Sequence, residues 1–597
     1  MAVWQEGAFS RFADVDAPTL VVLVHGLAGS GDQLGSVADA AVEALGAADV
    51  YVPTLAFAGR LGVLSATPPA SVVGELVAAV DSLDAARMAR LGAPYARIIL
   101  IGYSMGALIA RRVAIAAHGE TADAPFEAGF EAFRERRGWA ERIERVVLLG
   151  GISRGWAPRS AASWSKSALW GLFSFLATLT PARRGVLMES RFGLPFPVQT
   201  RLQWLALCRA GGRDLPVVQL LGSRDDVVSP DDMIDVAVDG VNRGSHVLLD
   251  MSSTAHADAV DMRPEAPARR ALLRDALTLD MAALAKHPDA ISSALLADGK
   301  TPEPEEGVTD VVFVVHGIRD KGFWTSKVAR AIKREAAASP LPDGTPRHVR
   351  SMTESYGYLA MLPFLWIGVR RAKAAWLMDR YVEARARYPR ARFHFVGHSN
   401  GTYLAARALS DYPAALFERV VFAGSVVRTR YDWRRLIDAP RPQVRGLLNY
   451  VASGDLVVGI FPAALGLVDL GGAGHAGFRD IAGPLPRSDM ARVVPKRIGA
   501  HDCFQVHYAR GGHGAGIVES QWDEIARFIV RGAPPRAVNA DYVGRQSPAA
   551  RLLGAAPPFG FLLVVTIYAL LALGIALVEP LLLIPLALLT LLVLLRV

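Results

Sequence analysis

Cysteine is scarce in this chain: Cys208 and Cys503 are the only two in 597 residues, and they lie far apart. That excludes a disulfide framework and a cysteine-built zinc cluster, and it fits a reducing compartment. The N-terminal stretch MAVWQEGAFSRFADVDAP lacks the basic segment and apolar run of a secretory signal, so the bulk of the chain is expected in the cytoplasm. Blocks of like charge are lacking too. The 65 Lys+Arg and 57 Asp+Glu leave a net +8 scattered along the chain, with no basic stripe interleaved with aromatics of the kind that tracks a phosphate backbone. Nucleic acid is therefore not expected as a partner, whereas a mild excess of arginine suits anionic lipid. Neither a metal nor an organic cofactor is expected.

Charge disappears entirely near the C-terminus. FGFLLVVTIYALLALGIALV, residues 559–578, runs some twenty residues without one, about what the ~30 Å hydrocarbon core asks of a helix. Glu579-Pro580 interrupts it, and LLLIPLALLTLLVLL leads to Arg596. Residues 559–597 thus read as a membrane anchor of one span or a hairpin. As a hairpin, it would place Arg545 and Arg551 on one flank and Arg596 on the other, all on the cytoplasmic side by the positive-inside rule, at a bacterial inner membrane. Overall, 52% of the residues are hydrophobic, more than a soluble chain of this length usually carries.

The rest divides by composition. GKTPEPEEGVTD at 299–310 is a polar, proline-containing stretch between a helical-looking run at 269–296 and a new strand. The expected organisation is a first domain at 1–298, a linker at 299–309, a second domain at 310–532, a polar linker at 533–558, and the anchor.

The two domains repeat one another. TLVVLVHGLAGS, RIILIGYSMGALIA, RVVLLGG and LPVVQLLGSRDD follow in order in the first; DVVFVVHGIRDKG, FHFVGHSNGTY, RVVFAGSVV and GLLNYVASGDLV follow in the same order in the second. Apolar strand runs alternating with helical patterns predict an α/β fold, with a doubly wound, mostly parallel sheet in each half.

In both halves a strand runs into G-x-S-x-G and then a helix, Gly102-Tyr103-Ser104-Met105-Gly106 and Gly397-His398-Ser399-Asn400-Gly401. Such flanking glycines permit the sharp turn that lifts a serine hydroxyl clear of a sheet edge. In both, an earlier strand ends in His-Gly, at His25-Gly26-Leu27 and His316-Gly317-Ile318. The combination resembles the α/β-hydrolase family, specifically its serine lipases and esterases, over nearly all of each half but not the anchor.

The resemblance implies two Ser-Asp-His triads: Ser104, Asp225 and His256, and Ser399, Asp455 and His513. It also implies oxyanion donors from the backbone of Leu27 and Met105 in one half and of Ile318 and Asn400 in the other. Asp226 is the fallback acid beside Asp225. His246 and His507 fall within strands and are disfavoured as bases, and His25 and His316 precede the nucleophile and are expected to order their loops. A cap insertion is expected at about 152–213, rich in aromatics including Trp156, Trp164, Trp170, Phe173, Phe175, Phe192 and Trp204, which suit either contact with an apolar substrate or the cap's own helical core. The second half instead carries the apolar run YGYLAMLPFLWIGVRRAKAAWLMDRY at 356–381, read either as a membrane-interface element or as a helix packed on the sheet. The function so implied is cleavage of lipophilic esters or thioesters through an acyl-enzyme, with membrane lipid as the other partner and protein partners unknown. The alternatives are acyl transfer by the same residues and a non-catalytic scaffold.

Overall fold

A computed structural model describes residues 3–5, 10–12, 17–157, 184–210, 215–239, 241, 245–291, 304–318, 322–464, 469–481, 492–536, 539–578 and 580–596. Of the expected cap aromatics, Trp164, Trp170, Phe173 and Phe175 lie outside these residues. The chain forms two compact units, Met1–Pro304 with short segments at Tyr381–Arg387 and Tyr412–Ala414, and the remainder from Glu305 onward.

Strands β1 (Val3–Gln5) and β2 (Ser10–Phe12) pair as a small antiparallel ribbon. The main sheet of the first unit comprises β3 (Thr19–Val24), β4 (Asp49–Tyr51), β5 (Arg97–Tyr103), β6 (Ile143–Leu149), β7 (Val217–Gly222), β8 (His246–Met251) and β9 (Ala290–Ile291). Their order across the sheet is β4-β3-β5-β6-β7-β8-β9, parallel throughout except for the antiparallel pair β8–β9. All six residues of β3 are buried, because helices cover both faces of a parallel sheet and leave no side for polar alternation. The core between the sheet and one helical layer collects Val21, Leu23, Ile99, Ile101, Val147 and Leu220 from the strands.

The helical-looking run at 269–296 is not one helix over its described residues. A helix spans Pro267–Thr278, Asp280 caps a single turn at Met281–Leu284 by accepting from the Ala283 N–H, and β9 follows. His287-Pro288-Asp289 separates the turn from the strand, and proline disfavours helical geometry in the residue before it.

The second unit uses β10 (Asp310–Val315), β11 (Val349–Met352), β12 (Arg392–His398), β13 (Arg419–Ala423), β14 (Leu447–Ala452), β15 (Arg492–Ile498) and β16 (His501–Ala509). Their order is β11-β10-β12-β13-β14-β16-β15, again parallel but for the outer pair β15–β16. Both halves therefore share an architecture and differ in how the far edge is closed. In the first, the antiparallel edge strand comes last in the chain; in the second, it precedes the final parallel strand.

In each sheet the order reverses beside the strand that ends in His-Gly, between β4 and β5 around β3 and between β11 and β12 around β10. Open α/β sheets bind ligands at that crevice, outside the carboxyl ends of the strands. The C-terminal residues form the helix Pro557–Val578, within which Phe561–Val578 has a mean hydropathy of 2.8 and is unburied, and the shorter helix Leu583–Arg596. The Tyr568 hydroxyl and Thr590 Oγ1 lie 2.7 Å apart and tie these two helices together.

His507 sits inside β16, fully enclosed, with Nε2 2.8 Å from the Gln505 amide nitrogen. Burial pushes its pKa down from 6.5 to about 4. Between those values the unfolded chain holds a proton that the folded chain does not, so stability falls as pH drops from 6.5 toward 4 and is fully present above 6.5. The shift amounts to roughly 3 kcal/mol. Denaturation of the detergent-solubilised protein at pH 4 to 7 should show this slope, and His507→Gln should flatten it; an unchanged slope in the variant would contradict the assignment.

Candidate active site

The first elbow is built by steric necessity. β5 ends at Tyr103, the helix Met105–His118 begins two residues later, and Ser104 between them adopts φ 54° and ψ −119°. So sparsely populated a backbone conformation costs a residue with a Cβ about 1–3 kcal/mol, so the surroundings must enforce it. They do: the Ser104 N–H donates to the Leu149 carbonyl at 3.0 Å, and the Ser104 carbonyl accepts from Ala107 and Ile152. A Cβ on Gly102 would meet the Gly106 carbonyl oxygen at 2.5 Å, and one on Gly106 would meet the Val24 carbonyl oxygen at 2.2 Å.

Two side chains converge on this turn from two other strand ends, those of β7 and β8. His256, on the loop after β8, places Nε2 2.9 Å from Ser104 Oγ. Its Nδ1–H donates to Asp225 Oδ2 at 2.6 Å. Asp225, just after β7, accepts the Val227 and Val228 N–H groups on Oδ1 at 2.9 and 2.8 Å, which leaves Oδ2 aimed at the imidazole. Asp226 points to solvent and takes no part. His246 lies at the opposite end of its strand, buried 3.5 Å from the Asp239 carboxylate. Leu27 and Met105 flank the serine, and their backbone N–H groups have no protein acceptor among the described residues. Gly26, next to Leu27, approaches so closely that a Cβ there would lie 3.0 Å from Ser104 Cβ.

His25 orders its loop. Its Nδ1–H donates to the Gly26 carbonyl at 2.7 Å, and Nε2 accepts from the Leu55 N–H at 2.9 Å. Burial lowers its pKa and keeps it neutral, as the accepting Nε2 requires. His316 does the same in the second unit, donating to the Gly317 carbonyl at 2.8 Å and accepting from the Ser355 hydroxyl at 2.7 Å while its ring stacks on Tyr356.

The second elbow repeats the strain, with Ser399 at φ 52°. Asp455 Oδ2 accepts from His513 Nδ1–H at 2.9 Å, and Oδ1 accepts from the Val458 N–H at 3.0 Å. Burial alone would raise the Asp455 pKa, but the His513 hydrogen bond and charge and the Val458 N–H outweigh it, and the carboxyl titrates below its ordinary value. One link differs: no hydrogen bond joins His513 to Ser399, and the His513 side chain is 22% exposed against 9% for His256. Asn400 is buried beside Ser399 and donates its amide to the Tyr356 hydroxyl at 3.1 Å. Ile318 follows Gly317, where a Cβ would come within 2.7 Å of Ser399 Cβ.

Two features escaped the sequence reading. The residue before each serine holds the histidine from behind: the Tyr103 hydroxyl donates to the His256 carbonyl at 3.1 Å, and His398 Nε2–H donates to the His513 carbonyl at 3.2 Å. Each ring also packs on the histidine it holds, with centroids 5.2 and 4.7 Å apart. Burial and the nearby Asp225 carboxylate raise the Tyr103 pKa, so its hydroxyl remains a donor. The second feature is a glycine at the end of the next strand, Gly150 and Gly424, at φ 50° and 54°. Equivalent places in RVVLLGG and RVVFAGS were the only available signal.

Among the described cap residues, Trp204 is buried, beside the Arg111 guanidinium, and Trp156 donates its indole N–H to the Leu187 carbonyl. Those two belong to the packing of the first unit. Phe192 lies under the Arg154 guanidinium. Among the described residues, no three His, Cys, Asp or Glu side chains are grouped to hold a metal ion.

No protein-family model matches the sequence, and no curated protein matches it significantly. Solved structures similar to this chain include an esterase of Pyrococcus furiosus, 14% identical, covering 46% of this chain and 89% of its own with a TM-score of 0.30. Others are the thioesterase domain of the curacin biosynthetic pathway (14% identical, 46% and 98% covered, TM-score 0.28) and a metagenome-derived lipolytic enzyme (16% identical, 48% and 100% covered, TM-score 0.30). What those names state belongs to those proteins.

The two glycines give a direct test of how tightly each histidine is seated. A Cβ on Gly150 would rest at 3.5 Å from His256 Nδ1 and Asp225 Oδ2, ordinary contact, whereas on Gly424 it would come within 2.9 Å of the His513 ring. Gly150→Ala should therefore cost about 1–2 kcal/mol from backbone conformation alone. Gly424→Ala should cost its unit more; equal costs by chemical denaturation would contradict the packing described.

Proposed function

We propose that the protein is a membrane-anchored serine hydrolase that cleaves lipophilic carboxylic esters or thioesters, with Ser104, Asp225 and His256 as its principal catalytic residues. The observation that carries the reading is the continuous chain from Ser104 Oγ through His256 to Asp225, set on a strained turn. Both links fall within the 2.6–3.2 Å reach that nucleophile and base need.

In this reading, Ser104 Oγ attacks the acyl carbon while His256 Nε2 takes its proton. The carbonyl π pair moves onto oxygen, facing the N–H groups of Leu27 and Met105. One such donor is worth about 3–4 kcal/mol to the developing oxyanion in comparable sites. Collapse of the tetrahedral intermediate expels the alcohol or thiol, which receives the proton from His256, and leaves a Ser104 acyl ester. Water then attacks with His256 as base, and release of the acid returns the proton to Ser104. Asp225 stays ionised throughout, fixing the imidazole tautomer and stabilising the imidazolium. The Tyr103 hydroxyl, by holding the His256 carbonyl, positions the ring.

Ser399, Asp455 and His513, with the N–H groups of Ile318 and Asn400, form a second site of the same class. Its base and acid are paired, and the serine–histidine contact would close on substrate, since hydrogen bonds of this kind often tighten only in the Michaelis complex. Anchoring rests on the unburied apolar helix at Phe561–Val578, and Arg545, Arg551 and Arg596 favour catalytic units facing the cytoplasm. Acyl transfer to an alcohol would use the same residues with water excluded from the second half-reaction.

Hydrolysis of p-nitrophenyl esters of increasing chain length tests the reading. Ser104→Ala should abolish most turnover, Asp225→Asn should lower kcat about 10⁴-fold by misdirecting the imidazole, and the residual rate should vanish in the Ser104→Ala, Ser399→Ala double variant. Turnover that survives the double variant would contradict the proposal.

A further inference from the structure

The acid of the second site is mechanically joined to the C-terminal hairpin. The helix Leu456–Ala464 begins at the residue after Asp455, and its Val458 N–H holds the carboxylate. That same helix packs against Pro548–Ala555 and against the long apolar helix Pro557–Val578. A second attachment comes from the short helix Met361–Leu365, after β11, which packs against Leu583–Arg596.

Both attachments leave the sheet at the carboxyl ends of parallel strands, the edge that carries Ser399. Large apolar side chains are concentrated on this edge and turned outward. They are Phe323 after β10, Tyr358, Trp366 and Ile367 after β11, and Leu456 and Val457 after β14, with Phe323 75% and Trp366 66% exposed. Among the described residues between 305 and 547, Val518 is the only other large apolar side chain so exposed. Single exposed apolar residues are ordinary. Six on three separate connections, all at the sheet edge where an apolar hairpin is fastened, are the kind of exposure that marks an interaction surface. Trp366 with the exposed Arg371 five residues on adds an aromatic and a cation, the pair favoured at the headgroup level of a bilayer.

We infer that the carboxyl edge of the second unit is a bilayer-docking surface, and that the Ser399 site opens onto lipid and draws its ester from the membrane itself. The docking surface follows from the hairpin attachments and the exposed edge; the statement about substrate rests on the hydrolase reading above. Phe323, Trp366 and Val457 would sit among headgroups and upper acyl chains. The loops beside Asp455 and Ser399 would then be in contact with the phase in which a lipophilic ester is dissolved.

The test uses the full chain in phosphatidylcholine/phosphatidylglycerol nanodiscs, in a Cys208→Ser, Cys503→Ser background. Trp366→Cys, Val457→Cys and Phe323→Cys each carry an environment-sensitive fluorophore. Lys333→Cys, at a cavity lined by Val308, Arg347 and Val349 near the amino ends of β10 and β11, is the control. Nitroxide-bearing lipid should quench the first three several-fold more than the control, and the three loops give independent readings should one variant fail to fold. Quenching at 366 and 457 no greater than at 333 overturns the docking surface. Ser399-dependent ester hydrolysis on the same discs is read separately: quenching without it supports the surface and overturns the membrane-drawn substrate, whereas hydrolysis without quenching overturns the surface and leaves the hydrolase reading standing.

Discussion

Ser104 and Ser399 stand at φ 54° and 52°, where a residue with a Cβ does not rest unless its surroundings hold it. Everything near each serine contributes to holding it. The strand before it fixes one end, the helix after it fixes the other, glycines two positions away on either side allow the close approach, and the neighbouring strand ties down the serine amide at 3.0 Å in the first unit and 3.1 Å in the second. In the proposed function this strain has a chemical use. It carries the hydroxyl out of the sheet edge toward loops that end other strands, and only there can a histidine and an aspartate from distant parts of the chain reach it.

The buried charges obey the same economy. Asp225 and Asp455 each satisfy one carboxylate oxygen with backbone N–H groups and offer the other to a histidine. Burial without such partners disfavours the charged form of a carboxylate, which these backbone N–H groups offset. Behind each histidine, Tyr103 or His398 anchors the backbone carbonyl, so the ring is positioned from two sides. The two halves achieve this with different side chains, which points to the geometry of the hydrogen bond as the shared requirement. In the second half the contact to serine is open, and the helix that carries the acid's backbone donor also touches the apolar hairpin.

Much of this was legible from residues alone because the signals were local. Continuous apolar runs such as LVVLV and VVFVV marked strands buried on both faces, and G-x-S-x-G between a strand and a helix marked the turn. Asp225 and His256 stood out by following strands at the right places in the chain, and the structure brings both within hydrogen-bonding distance of their neighbours. What was hidden was either non-local or weakly patterned. The edge strand β15, RVVPKRI, has a proline and three basic residues and pairs on one side only, so it lacks the signature of a buried strand. The positions of Tyr103, His398, Gly150 and Gly424 matter through contacts with distant residues, 153 positions away for Tyr103 and 115 for His398. The apolar run at 356–381 breaks at Trp366 into two helices, with Met361–Leu365 directed to the C-terminal hairpin, an attachment no periodicity in the run announces.

The proposed function requires that the strained serines be nucleophiles. A fluorophosphonate probe, applied to the detergent-solubilised protein and followed by peptide mapping, tests it without any assumption about substrate. A covalent adduct is expected on the Ser104 peptide and a second, slower one on the Ser399 peptide, each lost with the corresponding alanine variant. Absence of adduct at Ser104, under conditions that label a control esterase fully, would contradict it.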